Sequence, residues 1–240
     1  MKKQNQDTSD FIQGLKDALP LFLGYIPISF AFGMIGKESG LDLWAVVLIS
    51  ATNFTSASQL AGTAIIAASG GYLEIAITTF IINIRYILMS LSLSQKIEQK
   101  MPTLHRAIFS FGITDEIFAL TSQHEGKISS GYFAGIIILP YISWTLSTFL
   151  GATAATLMPE YLCSAFGMAI YGMFLAIIVP PAKKLKPIFT TVMISAVISC
   201  IFRLTPILKS ISFGWVVIIC AIAASGYSAI RYPIVTDDNE

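Results

Sequence analysis

Long uncharged stretches recur along this chain and constrain its fold more tightly than any motif. Residues 18–36 and 43–73 contain no Asp, Glu, Lys or Arg, and residues 128–182 contain only Glu160. A membrane-crossing helix needs roughly 20 mostly apolar residues. Segments of that kind are 18–36, 43–73, 75–93, 104–122, 131–150, 161–179, 187–202 and 211–230. The third is interrupted by Asn83 and Arg85; the fourth carries Arg106, Asp115 and Glu116. Only 12% of residues are charged and 55% are hydrophobic, whereas a soluble domain carries about 25% charged residues. A soluble fold could not hide so much apolar surface. The expected fold is therefore all-α: a polytopic integral membrane helical bundle of about seven or eight segments, some broken or re-entrant.

The polar residues 1–17 read as an N-terminal tail, 18–232 as one transmembrane domain, and 233–240 as a polar C-terminal tail. The first apolar run lacks an A-x-A cleavage site and reads as a retained span. A net charge of +1 excludes a chain built to neutralise nucleic-acid phosphates. Cys163, Cys200 and Cys220 are odd in number, dispersed and apolar in context, which fits neither a disulfide framework nor a metal site. No P-loop, H-E-x-x-H or G-x-S-x-G occurs, so no catalytic residue, cofactor or metal is expected.

Positive residues favour the cytoplasmic side. They cluster at Lys96, Lys100 and Arg106, and again at Lys183, Lys184 and Lys186. Three candidate spans lie between the clusters. Both can be cytoplasmic only if 104–122 does not cross fully, which is the reading adopted here. Segments beginning Tyr25-Ile-Pro-Ile-Ser-Phe and Tyr141-Ile-Ser-Trp-Thr-Leu each open an apolar run ending at a glycine, Gly36 or Gly151. They suggest an internal repeat, a feature of many transporters; chance similarity of apolar runs is the alternative. Gly131 and Gly135 form a G-x-x-x-G that permits close helix approach.

The polar content of the apolar runs points to function. The run 43–73 would be about 46 Å long as one helix, against ~30 Å of hydrocarbon, so it must bend, unwind or fold back. Its centre holds Asn53, Ser56, Ser58 and Gln59, and helical spacing sets Thr52, Ser56, Gln59 and Thr63 on one face. Such a segment either binds the charged ends of a zwitterion or glues two helices together. Arg85, in Asn83-Ile-Arg85-Tyr86, lies mid-span, where a charge costs at least ~2.5–3.5 kcal/mol by insertion scales. It needs a carboxylate, and Asp115 and Glu116 in the next segment offer two. One can neutralise Arg85; the other is then free for proton or ion coupling, unless both simply face water. Pro27 breaks the hydrogen-bond ladder of the first span, either to line a site or as a plain kink. Glu74, His105 and His124 read as solvated, and Trp44, Trp144 and Trp215 as interfacial anchors or core packing. The candidate substrate-binding set is Pro27, Asn53, Ser56, Ser58, Gln59, Asn83 and Arg85, with Asp115 and Glu116 for coupling. Competing readings are a membrane assembly or regulatory subunit with no path of its own, and an intramembrane enzyme using Asp115 and Glu116.

Four stretches, taken together, resemble the AzlC family. They are Leu19-Pro-Leu-Phe-Leu-Gly-Tyr-Ile-Pro-Ile-Ser-Phe-Ala-Phe-Gly-Met34, Thr55-Ser-Ala-Ser-Gln59, Asn83-Ile-Arg-Tyr86 and Phe111-Gly-Ile-Thr-Asp-Glu-Ile-Phe-Ala-Leu120. The resemblance runs over roughly residues 11–232. Where many members have a glycine after Phe-Ala, this chain has Phe54-Thr-Ser, and Tyr86 stands where a histidine is common, so no histidine relay is available there. The resemblance implies the large subunit of a branched-chain amino acid exporter in the bacterial inner membrane. Valine, leucine, isoleucine and methionine are the implied substrates, an ion gradient the drive, and a small hydrophobic AzlD-type subunit the partner.

Overall fold

The computed structural model describes residues 2–159, 161, 168, 172, 175, 178–206 and 208–232. Among them the chain is helical, with no strand beyond one bridge between Ile97 and Ile128. Four helices are long and apolar enough to cross a membrane: Leu19–Glu38, Ser130–Ala154, Lys186–Leu204 and Phe213–Arg231. Tyr72–Asn83 with Arg85–Ser94 makes a fifth, broken span. The expected segment 161–179 lies largely outside the described residues. The protein is thus an all-α membrane bundle, and the described residues account for up to five spans rather than seven or eight.

The chain divides into two compact units, residues 1–60 with 83–170 and residues 61–82 with 171–240. The first contains α1 (Lys2–Asp17), α2 (Leu19–Glu38), α3 (Leu43–Thr52), the start of α4 (Ser56–Ala67), and α6 (Arg85–Ser94). It also contains α7 (Thr103–Ser110), α8 (Asp115–Gln123) and α9 (Ser130–Ala154). Helix α9 is its hub and packs on α1, α2, α3 and α7. The α2–α9 contact is a mutual glycine approach. A Cβ on Gly33 would strike the Thr148 carbonyl, and one on Gly151 the Phe30 carbonyl. Without water or a hydrophobic driving force between spans, close backbone packing and interhelical hydrogen bonds hold such pairs. Ser143 Oγ donates to Phe22 O at 2.7 Å, and the Ser50 and Thr148 hydroxyls pair at 2.8 Å.

Residues 2–17, expected as a tail, form helix α1 along α9. Gly14 and Gly135 allow this contact: a Cβ on either would meet the backbone of the other helix. Ser129 Oγ donates to Asp10 (2.7 Å) and the Tyr132 hydroxyl to Asp17 (3.0 Å). The expected G-x-x-x-G is used at Gly135, and its partner is this polar helix. His124 stacks on Tyr132 with 4.0 Å between ring centroids instead of being simply solvated.

The second unit contains the rest of α4, α5 (Tyr72–Asn83) up to Ile82, α10 (Lys186–Leu204), a 3-10 turn (Leu208–Ser210) and α11 (Phe213–Arg231). Pro187 opens α10, where its missing N–H is no loss. The Thr191 and Ser228 hydroxyls join α10 to α11 at 2.6 Å. A cleft of about 890 Å³ between these helices is lined by Ser195, Ser199, Phe202, Val216 and Cys220. Glu74, expected in solvent, is buried. It accepts the Gly214 N–H at 3.0 Å and the Ser212 hydroxyl. Ser212, the N-cap of α11, makes no cap bond of its own, so a carboxylate from α5 serves that helix end.

Replacing Gly151 with valine will force α2 and α9 apart at backbone level, at the top of or above the ~1–3 kcal/mol range for overpacking. Gly24→Ala, with nothing within 4 Å of the new methyl, will leave stability unchanged or slightly raised. Thermal unfolding of the two variants in detergent checks the contrast.

Candidate functional site

The run 43–73 unwinds at residues 53–55. It becomes α3 and α4, of ten and twelve residues, or about 15 and 18 Å. Each is roughly half a hydrocarbon thickness. The break overturns the expected single polar face: Thr52 stays on α3, exposed, donating to Leu48 O at 2.7 Å, while Gln59 and Thr63 are buried on α4.

Unwound backbone at this depth needs internal partners, and the sequence supplies them locally. Thr55 N–H donates to Asn53 O at 2.7 Å. Asn53 Oδ1 accepts from Thr55 Oγ1 (2.7 Å) and Ser58 Oγ (3.3 Å), and those two hydroxyls also touch. The Ala51 carbonyl, released from the end of α3, accepts the Tyr141 hydroxyl of α9 at 2.9 Å. Ser56 is half-buried at the first position of α4.

Gln59 is 1% exposed. Its amide has two competing sets of partners. In one orientation Oε1 accepts from Trp144 Nε1 at 3.3 Å. Turned over, its nitrogen donates to Asn53 O at 2.8 Å and Thr55 O at 3.3 Å. The amide therefore sits between the indole of α9 and the unwound carbonyls, and can serve only one side at a time.

Phe54, in the break, is the centre of an aromatic box. Its ring lies 5.8 Å from Tyr25, 5.8 Å from Trp144 and 5.5 Å from Tyr141, all edge-on, and 6.5 Å from Phe111. Edge-to-face rings at this spacing attract beyond their burial. Tyr25 also meets Trp144 edge-on at 5.1 Å.

A second break, at residues 111–114, separates α7 from α8. These have eight and nine residues, or about 12 and 14 Å, so neither alone crosses, in line with the expectation for 104–122. Thr114 caps α8 by accepting the Ile117 N–H. Asp115 and Glu116 occupy the first turn, where the helix dipole favours negative charge. The Tyr25 hydroxyl donates to Glu116 Oε2 at 2.7 Å and lies 2.7 Å from Thr114 Oγ1. Tyr25 has one proton, committed to the carboxylate, so Thr114 donates to Tyr25.

Arg85 is the first residue of α6, where the dipole disfavours a cation. Asp115 supplies the compensation: Nη2 to Oδ2 is 2.8 Å, with the side chains 50% and 45% exposed. The guanidinium also lies 5.3 Å from the Tyr86 ring centroid, within cation–π range. Asn83 ends α5 with its Oδ1 buried and unpartnered. Pro27 is exposed on α2, which runs through it as a continuous helix. It neither breaks the span nor joins these side-chain contacts.

Asn53, Thr55 and Ser58 thus form one hydrogen-bonded group, and Gln59 either joins it through the unwound carbonyls or turns to Trp144. Trp144 packs edge-on against Tyr25, which bonds Glu116, and Asp115, next in the chain to Glu116, pairs with Arg85. All belong to the first unit. Sequence reasoning missed Tyr25, Phe54, Thr114, Tyr141 and Trp144 as site residues. The paired segments did single out Tyr25 and Tyr141, but as repeat markers. The assembly offers one cation, two carboxylates, amide and hydroxyl groups and aromatic walls, the groups that a zwitterion with an apolar side chain engages.

A family model described as AzlC protein matches residues 20–158. The chain is 28% identical to the inner membrane protein YgaZ of Escherichia coli K12, over 77% of this chain and 78% of that one. It is 29% identical to an uncharacterized membrane protein of Archaeoglobus fulgidus, over 72% and 76%. A Helicobacter pylori J99 membrane protein is 25% identical over 60% and 65%. No solved structure matches.

If Arg85 and Asp115 compensate one another, removing either will destabilise more than removing both. A double-mutant cycle of Arg85→Ala and Asp115→Ala, read by thermal unfolding in detergent, will show a coupling of roughly 0.5–3 kcal/mol.

Proposed function

The chain belongs to the AzlC family, and from that membership we propose that it is the large subunit of a secondary exporter of branched-chain amino acids. In this reading valine, leucine or isoleucine, and also methionine, cross a bacterial inner membrane. The chain works with a small AzlD-type subunit, draws on an ion gradient and performs no catalysis.

One observation carries the reading: the Arg85–Asp115 ion pair is half-exposed and stands at the starts of two short helices. An amino acid brings the same two charges. Its carboxylate replaces Asp115 on the Arg85 fork, which suits bidentate carboxylate recognition. Its ammonium takes Asp115 and the unpartnered Asn83 Oδ1. Binding thus exchanges one compensated pair for two, so no bare charge is left in a low-dielectric setting. The amides and hydroxyls of Asn53, Ser56, Ser58 and Gln59 complete the polar lining, and the rings packed around Phe54 supply an apolar wall for the branched side chain. Glu116, bonded to Tyr25, is the group left to carry a proton.

The test is leucine efflux from cells loaded with a leucine dipeptide. Arg85→Ala and Asp115→Asn will each slow efflux about tenfold or more, the usual worth of a charged hydrogen bond. Arg85→Lys will recover only part, since lysine lacks the planar fork. Wild-type efflux from Arg85→Ala and Asp115→Asn, with normal membrane insertion, rules the polar site out. Turnover of a peptide or lipid by purified protein, dependent on the two carboxylates, would instead favour an enzyme.

A further inference from the structure

The second unit leaves a space inside its own helix hairpin. Helices α10 and α11 are joined towards one end, where the Thr191 and Ser228 hydroxyls meet at 2.6 Å. Nearer their middles the Cys220 thiol donates to the Ser195 carbonyl at 3.7 Å. From that contact to the connecting turn the two helices enclose the cleft of about 890 Å³. Ser199 and Phe202 of α10 and Val216 and Val217 of α11 form its walls, and Leu208 and Ile211 of the turn line its outer end. Ser199 is exposed, so a lipid chain can reach the space.

The cleft has the depth of one leaflet and a charge at its outer end. From Ser195 to Arg203 it follows about 12 Å of helix, against ~30 Å for the whole hydrocarbon layer. Helix α10 has 19 residues and is about 28 Å long, so its last turn reaches head-group level. That turn carries Arg203, at the end of the helix where the dipole favours a cation. Arg203 is exposed, is the one charged residue among those that line the cleft, and makes no ion pair among the described residues. Apart from Ser195 and Ser199 the rest of the lining is apolar.

We propose that this cleft holds one acyl chain of an anionic phospholipid, with the lipid phosphate on the Arg203 guanidinium. Apolar walls with nothing against them forfeit their dispersion contacts, and a chain from the adjoining leaflet restores them. The planar fork of arginine matches a phosphate, and basic pockets between membrane helices take anionic head groups. A cation without a partner selects a net negative head group over a zwitterionic one, whose own ammonium opposes it. A partner helix fits the space poorly. It would be 10–12 Å across and would run the length of α10, whereas the Ser195–Cys220 and Thr191–Ser228 contacts close the hairpin beyond the cleft. The proposal does not depend on the export reading.

The test uses the purified full-length protein in phosphatidylcholine nanodiscs containing a trace of phosphatidylglycerol with a diazirine on its acyl chain. After irradiation the labelled peptides are mapped by mass spectrometry. Wild type will be labelled within 195–203 and 213–221, which hold the two walls. Labelling there will be about tenfold stronger than with the matching phosphatidylcholine probe, the worth of one charged hydrogen bond. Arg203→Ala will erase that preference, and Arg203→Lys will keep part of it. Ser199→Phe, which puts a ring into the cleft, will suppress labelling by both probes. Arg203→Ala changes an exposed residue and decides the matter even where Ser199→Phe fails to fold. Equal labelling of wild type by the two probes, or a preference that survives Arg203→Ala, overturns the proposal. So does labelling that persists in folded Ser199→Phe, or labelling that avoids both walls. No arm reads transport, so this outcome and the efflux result at Arg85 stand or fall separately.

Discussion

Hydrocarbon contains no water, so every polar group the backbone releases must find a partner within the protein. The first unit is organised around that demand. Its chain breaks at 53–55 and at 111–114, and side chains from α2 and α9 service both breaks. Tyr141 of α9 covers the Ala51 carbonyl, and Tyr25 of α2 joins Thr114 and Glu116. Those two tyrosines stand where they do because Gly33 and Gly151 let α2 and α9 meet at backbone distance. The polar breaks and the tight helix pair are one construction, and loosening the second would strand the first.

Helix ends also place the charges. Asp115 and Glu116 sit in the first turn of α8, and Glu74 sits in the first turn of α5 while capping α11. All three gain from the positive end of a helix. Arg85 has the opposite placement, at the start of α6. It is the one charge of this group that its own helix does not favour, and it depends on Asp115. A group held against its local field is the easier one for a competing ligand to recruit.

Much of this was legible in the sequence, and the remainder was not for identifiable reasons. The excess length of 43–73 announced a break without locating it, because hydropathy measures apolar length and not backbone direction. Arg85 demanded a carboxylate by charge alone, and Asp115 answers it. Gln59 was visible as an amide among apolar residues. Its indole partner was not, because Trp144 lies 85 residues away and a tryptophan in a span is ordinarily an anchor. Glu74 misled for a related reason: its partners lie 138 and 140 residues further on. The polar composition of residues 1–17 suggested a tail, since nothing local reveals that Gly14 will meet Gly135.

The distance between partners has a consequence for biosynthesis. Ser50 bonds Thr148 across 98 residues, and Tyr25 bonds Thr114 across 89. At about 5–20 residues per second, α2 and α3 leave the ribosome roughly five to twenty seconds before α9 exists. During that interval the hydroxyls and the glycine surface of α2 have no mate. A nascent chain in this condition is best kept at the edge of the insertion machinery, half-shielded from lipid, until the eighth helix brings Thr114 to Tyr25 and the ninth brings Thr148 to Ser50.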